Sequence, residues 1–110
     1  MNEKRPLPEP KNIRTLEDVE KAIKELFKGK KVKVYIFGSR ARGDNTPRSD
    51  LDIGFLSDKD ISYELSLLRE LLEESNLTFP VDIVDLSRVG KDFRDVVLKE
   101  GKLWISLGSS

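Results

Sequence analysis

Two aspartates separated by one residue, Asp50 and Asp52, follow a glycine–serine pair in the stretch GSRARGDNTPRSDLDIG, residues 38–54. On a β-strand both carboxylates lie on one face, where like charges repel unless a cation lies between them. The chain contains no histidine and no cysteine, so a metal ion here would be bound by oxygen atoms, which suits Mg²⁺ or Mn²⁺. Carboxylates that hold magnesium are typical of enzymes that catalyse in-line displacement at phosphorus.

The loop between these residues carries groups that bind phosphate. Gly38 permits close approach of the backbone, and Ser39 offers a hydroxyl and an amide at the start of a short helical turn. Arg40 and Arg42 can add charge-assisted hydrogen bonds. The pattern predicts a nucleotide-binding loop, although Ser39 as a simple helix cap and the arginines as solvated loop charges remain alternatives.

Apolar periodicity predicts the elements that position these residues. A helix begins at the N-cap Thr15 and ends at Gly29, and two alternating strands follow. A second helix ends near Asn76, and the strand VDIVDL precedes a short helix that opens at Ser87 or Gly90. KLWISL adds an edge strand. The predicted fold class is α/β (α+β), a small mixed sheet with helices mainly on one face.

Strand parity places the carboxylates on the open face of this sheet. Leu51, Ile53 and their equivalents turn toward the helices, so Asp50, Asp52 and Asp82 turn the other way. We expect these three to converge on one or two magnesium ions, with Asp82 accepting the proton of an attacking hydroxyl.

Composition limits the other possibilities. The chain has 110 residues and a net charge of zero, with Lys plus Arg and Asp plus Glu at 20 each, which predicts one domain and no direct nucleic-acid binding. No apolar run reaches the roughly 20 residues of a membrane span, so we expect a cytoplasmic protein. Residues 1–12 carry three prolines among charges and predict a flexible arm before a domain at 13–110.

The spacing Gly38-Ser39, ten residues, Asp50-Leu51-Asp52 is similar to the signature of the polymerase-β-like nucleotidyltransferase superfamily. The short chain resembles the minimal nucleotidyltransferase (MNT) branch, and the resemblance covers residues 31–106. It implies two magnesium ions at Asp50 and Asp52, a third carboxylate at Asp82, and a nucleoside triphosphate on Gly38 and Ser39.

The resemblance also implies a partner. Many MNT proteins are antitoxins paired with a helical HEPT toxin, and some transfer AMP from ATP to a toxin tyrosine. The implied function is therefore magnesium-dependent transfer of a nucleoside monophosphate to a protein hydroxyl. The alternative is a non-catalytic module that neutralises its partner by occlusion, and the acceptor comes from a partner or from a homo- or hetero-oligomer.

Several residues keep a structural interpretation beside the functional one. Asp50 and Asp52 could belong to a solvated strand end or a calcium loop, although the segment lacks the glycine and terminal glutamate of an EF-hand. Asp85 has core-side parity and is expected to cap a turn. Phe37 has site-side parity, with packing against the C-terminal strand favoured over contact with a base, and Trp104 is expected in the partial core or an oligomer contact.

Overall fold

In the part of the chain that the structure describes, three helices and four strands follow the order that the sequence predicts. The computed structural model describes residues 8–38 and 50–108. Its elements are a 3₁₀ turn (Pro10–Asn12), α1 (Leu16–Leu26), β1 (Val32–Phe37), β2 (Leu51–Leu56), α2 (Ser62–Glu73), β3 (Val81–Asp85), α3 (Lys91–Glu100) and β4 (Lys102–Leu107).

The four strands form one mixed sheet in the order β3-β2-β1-β4. β1 pairs antiparallel with β2 and with β4, whereas β2 and β3 are parallel. A parallel pair needs a crossover connection, and α2 lies within the one that joins β2 to β3. The predicted mixed sheet with an edge strand at the C-terminus is confirmed.

The start of α1 is fixed by a reciprocal cap. Thr15 Oγ1 accepts a hydrogen bond from Asp18 N at 3.2 Å, and Asp18 Oδ2 accepts from Thr15 N at 3.1 Å. Asp18 Oδ2 also accepts from Arg14 N, and this bond contributes most to holding the pKa of Asp18 below its usual value. After the helix, Gly29 adopts a φ of 84°, which L side chains rarely tolerate. The predicted N-cap is confirmed, whereas α1 ends at Leu26, three residues before the predicted Gly29.

The core lies between the sheet and the pair α1 and α2. It contains the residues whose periodicity predicted one face of each element, and it includes Val19, Ala22, Ile23, Phe27, Val32, Val34, Leu51, Ile53, Phe55, Leu65 and Leu68. All of these are nearly or fully buried. Trp104 is half-buried against the same core, which confirms its predicted place in the partial core.

The third helix contacts the opposite face. Phe37 lies opposite Asp52 in the register, and its ring meets Phe93 of α3 in an edge-to-face arrangement with centroids 5.9 Å apart. Val97 of α3 is buried but lies outside the main core. The aromatic partner of Phe37 lies on α3, whereas its predicted packing against the C-terminal strand stays a prediction.

The N-terminal segment makes specific contacts from residue 9 onward. Asn76 Nδ2 donates to Lys11 O at 2.9 Å, Asn76 N donates to Ile13 O at 3.0 Å, and Ile13 is fully buried. Residues 1–7 lie outside the described part of the chain, so the flexible arm stays a prediction. Over residues 8–38 and 50–108, no helix combines the length and apolarity needed to cross a membrane.

Candidate active site

The parallel register places Asp52 and Asp82 side by side. They are Cα partners on β2 and β3, so both side chains project from the face opposite the core. Leu51 and Ile53, which flank Asp52, are fully buried on the core face and fix its orientation. Asp50 lies exposed immediately before β2.

The electrostatics of this face are unfavourable without a cation. Partial burial raises the pKa of the Asp52 carboxyl, and the charges of Asp82 and Asp50 raise it further. Asp52 is therefore repelled by the charges of both Asp82, its neighbour on β3, and Asp50, which precedes β2. A bound cation would relieve this repulsion and favour the ionised form of Asp52.

Gly38 ends β1 directly against the Asp52 carboxylate. Its φ of 80° lies in the left-handed region, and a Cβ built there would overlap Asp52 Oδ2 and lie 3.2 Å from Cγ. A side chain at this position would therefore be strained and would displace the carboxylate. The sequence predicts that another group can approach the backbone closely at Gly38. In the structure the Asp52 carboxylate makes this approach, and the same backbone is available to a ligand.

Leu86 forms an apolar wall beside Gly54, which lies two residues after Asp52 on β2. It is fully buried, and a Cβ added to Gly54 would lie 2.8 Å from Leu86 Cδ1. Its amide donates to Phe55 O at 2.8 Å, which holds the segment after β3 against β2. Sequence reasoning missed this contact, although a glycine inside a strand signals close approach by another group.

The aspartates supply only oxygen atoms as metal ligands, and oxygen ligands suit magnesium. Among residues 8–38 and 50–108, no group of three acidic side chains is placed to hold an ion together. Convergence of Asp50, Asp52 and Asp82 on a metal therefore stays a prediction, supported by the repulsion at Asp52 and by the oxygen-only donors. Ser39, Arg40 and Arg42 lie outside the described residues, so their predicted roles also remain predictions.

The polymerase β nucleotidyltransferase family matches residues 20–107, which include every described candidate residue. The chain belongs to this family. The match confirms the predicted resemblance and the nucleotidyltransferase class. It covers the complete sheet, α2 and α3 of the described fold, and α1 from Glu20 onward.

Two relatives of this nucleotidyltransferase carry the name of a protein adenylyltransferase. The Methanocaldococcus jannaschii protein is 34% identical over 86 residues, which are 74% of this chain and 86% of that protein. MntA of Haemophilus influenzae is 34% identical over 67 residues, 60% of this chain. This second match spans only 59% of the length of MntA.

Solved structures confirm the fold. A toxin–antitoxin complex with AMP-PNP has a TM-score of 0.59 and 23% identity, and covers 86% of this chain and 76% of that one. A mutant MntA-HpeT complex has a TM-score of 0.57 and 21% identity, and covers 86% and 74%. At these identities the likeness shows the nucleotidyltransferase fold and no more.

Asp85 has the structural role predicted for it. Its Oδ1 accepts a hydrogen bond from Ser87 N at 3.1 Å, and Arg88 Nε lies 3.5 Å from its Oδ2. Asp85 therefore caps the turn after β3 and is paired with a cation. Among the carboxylates of β3, Asp82 is the one that faces Asp52 in this nucleotidyltransferase.

A cavity of about 440 Å³ adjoins Asp82 at the outer edge of β3. Arg69, Leu72 and Phe79 contribute to its walls. Arg69 Nη2 donates to Ile83 O at 3.2 Å, so the α2 side chain is anchored to the strand that carries Asp82. The edge of the sheet next to the acidic pair is thus a concave surface rather than a flat one.

Proposed function

We propose that this protein is a magnesium-dependent nucleotidyltransferase that transfers AMP from ATP to a hydroxyl of a protein partner. We further propose that it acts as the MNT antitoxin of a HEPT/MNT pair. The observation that carries the proposal is the side-by-side placement of Asp52 and Asp82 next to Gly38, in a chain of this family.

The relatives support the substrate and the partner. Two of them are named as protein adenylyltransferases, which favours AMP as the transferred group and a protein as the acceptor. Two structural neighbours are toxin–antitoxin complexes, one with an ATP analogue, which favours a helical HEPT-type partner.

In the proposed reaction the acceptor hydroxyl oxygen attacks the α-phosphorus of ATP. The bond from that phosphorus to the oxygen bridging to the β-phosphate breaks, and pyrophosphate leaves. Asp82 accepts the hydroxyl proton. Asp50 and Asp52 are the proposed principal ligands of two magnesium ions, with Asp82 as the third; manganese is a substitute. Magnesium, when bound, neutralises the phosphate charge.

The loop residues complete the proposed nucleotide site. Gly38 permits close approach of the triphosphate, and the Ser39 amide and hydroxyl bind it. Arg40 and Arg42 add charge to the same region. These assignments are supported by the motif and by the position of Gly38 against Asp52.

Calorimetric titration of ATP with magnesium into the purified protein tests the site. We expect binding that is lost in Asp52→Asn and in Asp82→Asn. Asp85→Asn is the matched control, because Asn retains a cap acceptor and Asp85 points away from the acidic pair. Equal binding by Asp52→Asn and wild type would refute the metal assignment.

The antitoxin role has a separate test in cells that also express a HEPT-type partner encoded beside this chain. If neutralisation requires Asp52 and Asp82, it depends on nucleotide transfer. If both asparagine variants still neutralise the partner, occlusion is the mechanism and the catalytic proposal fails. Release of pyrophosphate in the reconstituted mixture distinguishes the two directly.

A further inference from the structure

A small cavity lies beside Gly38 at the end of β1. It has a volume of about 160 Å³ and is lined by Phe37, Gly38, Val96, Val97 and Glu100. The end of β1 forms one wall, and the last turns of α3 form the other. Because Gly38 contacts both Asp52 and this cavity, a ligand at the predicted phosphate site would have the cavity within reach.

The walls of the cavity are apolar and accessible. Phe37 is half-buried, with its ring held edge-to-face by Phe93 at 5.9 Å. Phe93 is 44% exposed and Val96 is 51% exposed, so a ligand can contact both from solvent. Exposed large apolar side chains beside a cavity are typical of a surface that binds a flat apolar group.

Glu100 lines the cavity with a carboxylate, which accepts hydrogen bonds. Glu100 is exposed, so its carboxylate is accessible to a ligand. It is the last residue of α3, where the carbonyl end of the helix adds partial negative charge. These groups repel phosphate and favour a ligand that donates hydrogen bonds.

The size of the cavity also discriminates among the parts of a nucleotide. Sites for whole drug-sized ligands are about 300–1,000 Å³, so 160 Å³ suits a single ring system and not a complete nucleoside triphosphate. Adenine is a flat ring with an exocyclic amino group, which is a hydrogen-bond donor at its edge. The apolar walls match its faces, and Glu100 matches its amino group.

We propose that the cavity binds the adenine base of ATP and that Glu100 accepts a hydrogen bond from its 6-amino group. This inference rests on the proposed function, since it requires ATP to bind at Gly38. Hypoxanthine carries an oxygen at the same position, so ITP would place an acceptor against the Glu100 carboxylate. Base preference therefore depends on one residue that contacts no phosphate.

Titration of ATP and ITP, each with magnesium, tests the proposal. A charged hydrogen bond supports a preference of at least about tenfold for ATP. Glu100→Gln should bring the ratio of the two affinities close to one, because the amide can accept from adenine or donate to hypoxanthine. The matched control is Glu74→Gln, which neutralises a glutamate at the end of α2 and should keep the tenfold ratio.

A second variant tests the apolar wall. Val96→Asp places a charge at an exposed position of the cavity and should weaken ATP and ITP alike, whereas Val96→Ile should not. Equal affinity for ATP and ITP in the wild type, lost in Asp52→Asn, would overturn the base site and leave the proposed function standing. No binding of either nucleotide to the wild type would overturn both.

Discussion

Replacement of Gly38 by alanine tests the contact between the end of β1 and the acidic pair. Alanine adds one carbon that would overlap Asp52 Oδ2, and it must adopt a φ of 80°. Gly29→Ala is a natural control, because Gly29 has a similar φ of 84° but no atom within 4 Å of an added Cβ. The two variants share the backbone strain and differ in the steric contact.

The strain and the contact have separate magnitudes. An L residue in the left-handed region costs about 1–2 kcal/mol. The free energy of unfolding should therefore fall by this amount in both variants. For a domain of this size each kcal/mol lowers Tm by roughly 4–8 °C. Overpacking adds about 1–3 kcal/mol in Gly38→Ala unless the Asp52 carboxylate moves away. If it moves, we expect magnesium-dependent ATP affinity to fall at least about tenfold, equivalent to about 1.4 kcal/mol.

The assay pairs thermal unfolding without metal and calorimetric titration of ATP with magnesium. Gly29→Ala should show a lower Tm and unchanged ATP affinity. Gly38→Ala should show a lower Tm and weaker ATP binding. If Gly38→Ala binds ATP as tightly as Gly29→Ala and unfolds at the same temperature, the contact with Asp52 has no influence on the site, and the reasoning is refuted.

Three further predictions concern charge, capping and packing. Because partial burial and neighbouring charges raise the pKa of Asp52, its contribution to stability is fully present below about pH 3.9 and is lost as pH rises through the raised pKa. In EDTA at pH 7, Asp52→Asn should therefore raise Tm, and the gain should vanish near pH 3.5; a lower Tm at pH 7 would contradict this. Thr15→Ala removes the cap of α1 and should cost about 1 kcal/mol in urea unfolding, whereas Thr15→Ser should be close to neutral. Gly54→Ala should destabilise by about 1–3 kcal/mol because it meets Leu86, and this loss should shrink when Leu86 is already alanine; strict additivity in the double variant would argue against the contact.

The local features of the fold could be predicted because they depend on neighbours in sequence. Alternation of Leu51, Ile53 and Phe55 with polar residues identified the buried face of β2, and all three are fully buried. Thr15 was identifiable as a cap from its position before the apolar repeat. Strand parity likewise put Asp52 and Asp82 on one face.

The placement of α3 could not be predicted in the same way. Its apolar residues indicate that one side is buried, but the same pattern fits either face of a sheet, so the contact of Phe93 with Phe37 was missed. The wall formed by Leu86 depends on the turn after β3, which local periodicity does not describe. Both features depend on tertiary packing, and both lie beside the candidate site.

The parallel pairing of β3 has a consequence for how the protein folds. Among the described strands β3 lies at the edge of the sheet beside β2, and it reaches β2 only after the chain has passed through α2. Such non-local pairing forms slowly, and edge strands are frequent sites of local opening. The repulsion between Asp52 and Asp82 arises only when this strand docks. On the ribosome, residues up to β2 emerge before Asp82, so β1 and β2 can pair before that repulsion exists. In the finished protein, a ligand that binds both carboxylates would slow the release of β3, and amide exchange in residues 81–85 would report its arrival.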